Sequence, residues 1–123
     1  MMTKDDLIDR FGAFEIERLE KNVGDPKAIQ KAISDASEFI NGYVGMRYVL
    51  PMPILLTSVE RAIAIVARYY LYKDKPTTTV RQDYEDVLMW LKDVSSGKVK
   101  LDFGGGVIDS DQSAFYRTGA LVC

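Results

Sequence analysis

The amino-acid sequence predicts an all-α protein: a small bundle of about five helices, with a short strand-like exit and an extended C-terminal tail. Three observations lead there. Apolar residues recur at three- and four-residue intervals through the long stretches of the chain. Clusters of glycine, proline and asparagine separate those stretches at helix lengths. After Gly97 the apolar period falls to two, and three consecutive glycines follow. With 123 residues, 47% of them hydrophobic, the chain can bury one modest core. The expected division is a helical domain over residues 1–101 and a glycine-hinged tail over 102–123.

The elements follow in order. A first helix is expected over Asp5–Arg10, with Thr3 as N-cap and acidic residues in its first turn. Phe11-Gly12 ends it. A second short helix runs from Phe14 to Lys21 and closes at Asn22-Val23-Gly24. Asp25-Pro26 restarts the chain, as an N-cap followed by proline at the first helical position. The third helix, from Pro26 to Val44, has the cleanest stripe: Ile29, Ala32, Ile33, Ala36, Phe39, Ile40 and Tyr43 share a face. A crossover follows at Arg47-Tyr48-Val49-Leu50-Pro51-Met52-Pro53. Its two prolines keep it out of helix, and its apolar character implies that part of it packs.

Thr57 and Glu60 stand at capping-box spacing before a fourth helix that runs to Tyr72. Val59, Ile63, Val66, Ala67 and Tyr70 make one apolar face; Ile65, Tyr69 and Tyr72 make a second. Such a helix is either central to the bundle or shared with another subunit. Thr77, Thr78 and Thr79 offer caps for a fifth helix, Val80–Ser95, with Gly97 as its stop. Val80, Tyr84, Val87, Leu88 and Leu91 form its stripe. Trp90 lies on the flank and Met89 points away. Lys98–Phe103 alternates like a short strand, Gly104-Gly105-Gly106 is a joint, and Val107–Cys123 has no clear period.

The composition argues against an enzyme. There is no histidine, and the one cysteine is the last residue. That removes the commonest general base, the usual triads, most zinc sites and any intrachain disulfide. The triple glycine lacks the Lys-Ser/Thr of a phosphate loop. Asp109-Ser110-Asp111 lacks the later glycine and glutamate of a calcium loop. The carboxylate pairs Asp5/Asp9 and Asp83/Asp86 read as solvated helix faces. Arg61 and Arg68 share one polar strip, where an ion pair is the commoner fate of an arginine. No catalytic residue, cofactor site or metal site is therefore expected. No stretch has the apolar length of a membrane span. The amino terminus turns acidic where a signal peptide would have its apolar core, so a cytoplasmic location of synthesis is expected.

Several motifs in fixed order carry a family resemblance. They are Asp6-Leu7-Ile8-Asp9-Arg10-Phe11-Gly12, the stretch Ala32–Tyr43 ending in Ile40-Asn41-Gly42-Tyr43, and Arg47-Tyr48-Val49-Leu50-Pro51. Ile65-Val66-Ala67-Arg68-Tyr69-Tyr70-Leu71-Tyr72, Tyr84-Glu85-Asp86, and Trp90-Leu91-Lys92-Asp93-Val94 with Gly97-Lys98-Val99 complete the series. Over residues 5–101 the chain resembles the head–tail connector, or neck adaptor, proteins of Mu-like phages and prophages. The resemblance implies a helical adaptor that forms a ring, usually twelvefold, under the portal protein. Such a ring completes the head and receives a stopper or tail-terminator protein, and DNA passes through it without sequence-specific binding. The implied place is the virion neck, assembled in the host cytoplasm.

Residues off the main stripes are the expected subunit contacts: Ile65, Tyr69, Tyr72, Met89 and Trp90. Val107, Ile108, Phe115, Tyr116, Leu121 and Val122 in the tail are expected to dock on the portal or a neighbouring subunit, since they cannot form a core alone. The alternative is a small helical DNA-binding or packaging-associated phage protein. It is disfavoured by the net charge of -2 and the lack of a basic stripe.

Overall fold

The computed structural model of the chain describes residues 2–73 and 75–103. Five helices account for most of them: α1 (Lys4–Phe11), α2 (Ala13–Val23), α3 (Ala28–Val44), α4 (Thr57–Leu71) and α5 (Thr78–Ser96). No strand is present among the described residues. The protein is a small all-α bundle.

Local chemistry sets the helix ends. The Thr3 N–H donates to the Asp6 carboxylate at 2.8 Å and anchors the start of α1. Gly12 alone separates α1 from α2. Its φ of 97° is open to a residue without Cβ and lets the chain turn in one step. The third helix begins two residues later than its proline suggests. The Asp25 carboxylate accepts the Lys27 N–H at 2.8 Å, which holds Pro26 and Lys27 in a turn before Ala28. Thr77 caps α5, its hydroxyl accepting the Val80 N–H at 3.1 Å. The expected Thr57/Glu60 box does not form. Leu56 occupies the N-cap position, and the Glu60 N–H bonds to the Leu56 carbonyl instead.

The packing answers the question posed by the two apolar faces of α4. This helix touches all four others, and α3 and α5 flank it most closely. Val59, Ala62, Ile63, Ala64, Ile65, Val66, Ala67 and Leu71 are all buried. Of the second face, Ile65 is therefore buried within the chain itself, and Tyr69 and Tyr72 are half-buried. Ile29, Ala32, Ile33, Ala36, Ile40 and Val44 of α3 and Val87, Leu91 and Val94 of α5 share one buried cluster with α4. Leu7, Ile16 and Leu19 close the core from α1 and α2, and Met2 joins them.

The exit after α5 is strand-like in the alternation of its side chains. Leu101 and Phe103 are buried while Lys98, Lys100 and Asp102 are exposed, so its side chains alternate as the sequence implies. The Val99 N–H donates to the Asp93 carbonyl at 3.1 Å, and the Leu101 N–H to the Tyr48 hydroxyl at 2.9 Å. The buried cluster thus includes Phe103, the last residue of the alternating stretch.

Candidate docking surface

The crossover between α3 and α4 is the most unusual surface of the molecule. Gly45, Met46 and Arg47 turn the chain off the end of α3. Tyr48 then drops into the core, and Met52 and Leu56 pack partly against it. Around these anchors Met46, Val49, Leu50, Ile54 and Leu55 face solvent, with Met46 at 69% and Val49 at 56% exposure. The expectation that some of this apolar loop packs is met by its anchors and not by its intervening residues. Asn41, Leu50, Pro51, Met52, Ile54 and Leu55 line a shallow groove of about 220 Å³ here. Gly45 shapes one wall: a Cβ at that position would sit 3.1 Å from Leu50 Cδ1.

The far side of the crossover is pinned to the exit of α5. Tyr48 and Phe103 meet edge to face, with ring centroids 5.7 Å apart. Arg47 lies across Gly97, where a Cβ would come within 2.8 Å of the guanidinium carbon. Gly97 also has a φ of 89°, so both backbone and space call for glycine. Crossover and exit together form one corner with an ordered base and an apolar rim.

The polar network lies elsewhere. Glu15 in α2 binds Arg68 in α4, and the Tyr72 hydroxyl donates to the same carboxylate at 2.6 Å. Arg18 donates to the Tyr72 hydroxyl at 3.2 Å, and Asp83 in α5 stands 3.6 Å from Arg68. Phe11 lies under the Arg68 guanidinium, 4.4 Å from its ring centroid. Burial pushes the Glu15 carboxyl up, but the Arg68 and Tyr72 hydrogen bonds outweigh it and hold the group below the usual range. Burial and then Glu15 raise the Tyr72 phenol. Both carboxylate oxygens are engaged by donors of the same chain, so this cluster staples three helices together. Arg68 thus takes the ion-paired fate, and Arg61 on the same strip is exposed. Among the described residues no group of three or more Asp, Glu, His or Cys side chains is arranged to hold a metal ion.

The expected subunit contacts separate into distinct environments. Ile65 is buried in the chain's own core, which corrects its assignment to a subunit surface: it belongs to the cluster that α4 shares with the other helices. Tyr72 is tied into the Glu15 network, so a carboxylate substituted there would face Glu15 and disturb the fold itself. Tyr69 is half-buried and stacks on Tyr84 at 3.9 Å, within an aromatic strip that includes Phe39 and Tyr43. Trp90 is half-buried against the core, whereas Met89 is 66% exposed. Val107, Ile108, Phe115, Tyr116, Leu121 and Val122 lie outside the described residues. The exposed crossover side chains were signalled by an apolar, proline-punctuated loop, but its composition did not say which residues point outward. Among the described residues no helix is long and apolar enough to cross a membrane.

Comparison with known proteins completes this picture. The profile of the family described as "Bacteriophage Mu, Gp36" matches residues 2–114. The Mu-like prophage FluMu protein gp36 of Haemophilus influenzae is 35% identical over 123 aligned residues, which cover 97% of this chain and 84% of that protein. Gene product J of Escherichia phage Mu is 36% identical over 74 residues, 60% of this chain and 52% of that protein.

Proposed function

The chain belongs to the bacteriophage Mu Gp36 family, and from that premise we propose that it is a head–tail connector, a non-enzymatic adaptor of the virion neck. In this reading it forms a homo-oligomeric ring under the portal protein, completes the head and receives a stopper or tail-terminator protein. The DNA channel continues through the ring without sequence-specific contacts. The observation that carries the reading is the apolar rim of the crossover, Met46, Val49, Leu50, Ile54 and Leu55, exposed on a domain whose core is otherwise well filled. Contiguous apolar surface of this kind marks a site of protein–protein contact. Met89, Trp90 and Tyr69 offer further contact surface on α5 and α4.

The test is genetic and biochemical. An amber mutation in this gene of an inducible Mu-like prophage should yield DNA-filled heads and finished tails that fail to join. The purified chain should restore joining in the lysate. A Met89→Asp chain should keep its helical circular dichroism, because Met89 is exposed, and should restore joining poorly. Normal infectious particles from the amber mutant would reject the neck role.

A further inference from the structure

We propose that copies of this chain pair head to tail, with the outer face of α2 on one copy lying antiparallel against the outer face of α5 on the next. The pairing rests on the ring reading above and names the two surfaces that would build the ring. Phe14 on α2 is the most exposed large hydrophobic side chain among the described residues, at 81%. Arg18 and Lys21 follow it within ~40° around the helix, and both are exposed. One outward stripe of α2 therefore carries an aromatic ring and two cations. The outward stripe of α5 is its complement. Met89 stands at the centre, and the exposed carboxylates Glu85 and Asp86 lie one turn before it. Both stripes face water, so neither covers the other within one chain.

The charged heads are already positioned. Arg18 donates to the Tyr72 hydroxyl at 3.2 Å, and Gln82 donates to the Asp86 carboxylate at 2.9 Å. Four residues advance ~6 Å along either helix. With Phe14 set on Met89, an antiparallel pair therefore places Arg18 beside Asp86 and Lys21 between Gln82 and Glu85. Glu17 also comes near Glu85 there, with Lys21 beside both. A parallel pair would set Arg18 against Lys92 and Glu17 against Asp93, like against like, so charge selects the antiparallel one. A ring against a thioether is a favourable contact, and both residue types are enriched at interface cores. Two different patches meet in this contact, so each copy gives α2 to one neighbour and α5 to the other. Repeated, such a contact closes into a ring when its rotation divides a full turn.

Disulfide trapping between two full chains tests the pairing. Both chains carry Cys123→Ser. The first also carries Lys21→Cys, and the second, lengthened by an affinity tag, Gln82→Cys; both positions are exposed. They are produced together in an induced Mu-like prophage with the amber mutation, and the lysate is mildly oxidised. The mixed disulfide should form at least tenfold faster than either like-with-like disulfide. Phe14→Asp in the first chain should slow it at least fivefold. Met89→Lys in the second chain should then return at least half of the lost rate, as an ion pair replaces the ring contact. Circular dichroism of the purified chains checks that each keeps its helices. Equal rates for the three pairings overturn the proposal, as does a Phe14→Asp chain trapped at the parent rate or a Met89→Lys chain that restores nothing. No disulfide at all also overturns it, and leaves the two stripes to a partner of another kind. Trapping together with normal particles from the amber mutant rejects the neck role and keeps the pairing. Failed joining in the amber mutant without trapping does the reverse.

Discussion

Glu15 and Arg68, 53 residues apart in sequence, meet in a two-pronged ion pair: Nε donates to Oε2 at 2.9 Å and Nη2 to Oε1 at 3.1 Å. Both side chains are largely withdrawn from water, at 16% and 17% exposure. The planar fork matches both carboxylate oxygens at once, which a lysine cannot do. Arg68→Lys is expected to cost ~1–3 kcal/mol, through the lost prong and the packing over Phe11. Arg68→Ala should cost more, because it leaves a half-buried carboxylate without its cation. Urea midpoints measure both, and an unchanged midpoint for Arg68→Ala would remove the pair from the account of stability.

The same pair has a pH signature. The folded-state pKa of Glu15 is depressed, so its contribution is present above the ordinary value of 4.5 and is lost as pH falls through the lowered folded value. Tyr72 behaves in the opposite sense. Its pKa is raised, so its contribution is present below 10.0 and is lost as pH rises through the raised folded value. Glu15→Gln should therefore be less stable near neutrality and lose less stability on acidification below pH 4.5 than the parent does. Parallel acid limbs for the two chains would contradict this assignment.

Ile63 sits near the middle of α4 at 5% exposure. Ile63→Ala should destabilise by ~2–5 kcal/mol, from the lost transfer free energy and the cavity left behind. Met89→Ala, on the exposed side of α5, should stay within ~0.5 kcal/mol of the parent. Denaturant titration of the two variants checks both the size and the contrast.

Tyr48 connects the crossover to the exit through its hydroxyl. Tyr48→Phe keeps the ring against Phe103 but leaves the buried Leu101 N–H without this acceptor. The expected cost is ~1–3 kcal/mol. The Leu101 amide should exchange faster than in the parent while α4 amides keep their protection. Unaltered exchange at Leu101 would show that another group takes over the donor.

Much of this architecture was legible in the sequence. Ile29, Ala32, Ile33, Ala36 and Ile40 fall on the buried face of α3 as their spacing demands, and Thr77 and Gly97 bound α5. Where the reading departed, long-range contacts decided. Ile65 lies off the principal stripe of α4, and periodicity alone could not say whether α5 or a second subunit would cover it. The Glu15–Arg68 pair leaves no periodic trace, since its partners come from helices separated by all of α3. Thr57 and Glu60 have the right spacing for a box, but Leu56 takes the cap position one residue earlier. In the crossover, the prolines announced the absence of helix but not which apolar residues would be left outside.

The crowding of α4 also bears on how such a chain can change over generations. Ala62, Ala64 and Ala67 are buried on the helix that touches every other, and Ala64 and Ala67 have no exposed surface. Enlarging any of them forces neighbouring helices apart, at ~1–3 kcal/mol for extra methylenes in a packed core. The axis of the bundle therefore admits little drift, whereas the crossover rim and the outer side of α5 lie beyond its reach. A lineage can rewrite what those outer surfaces grip while inheriting the axis unaltered, so divergence in attachment need not pass through unfoldable intermediates.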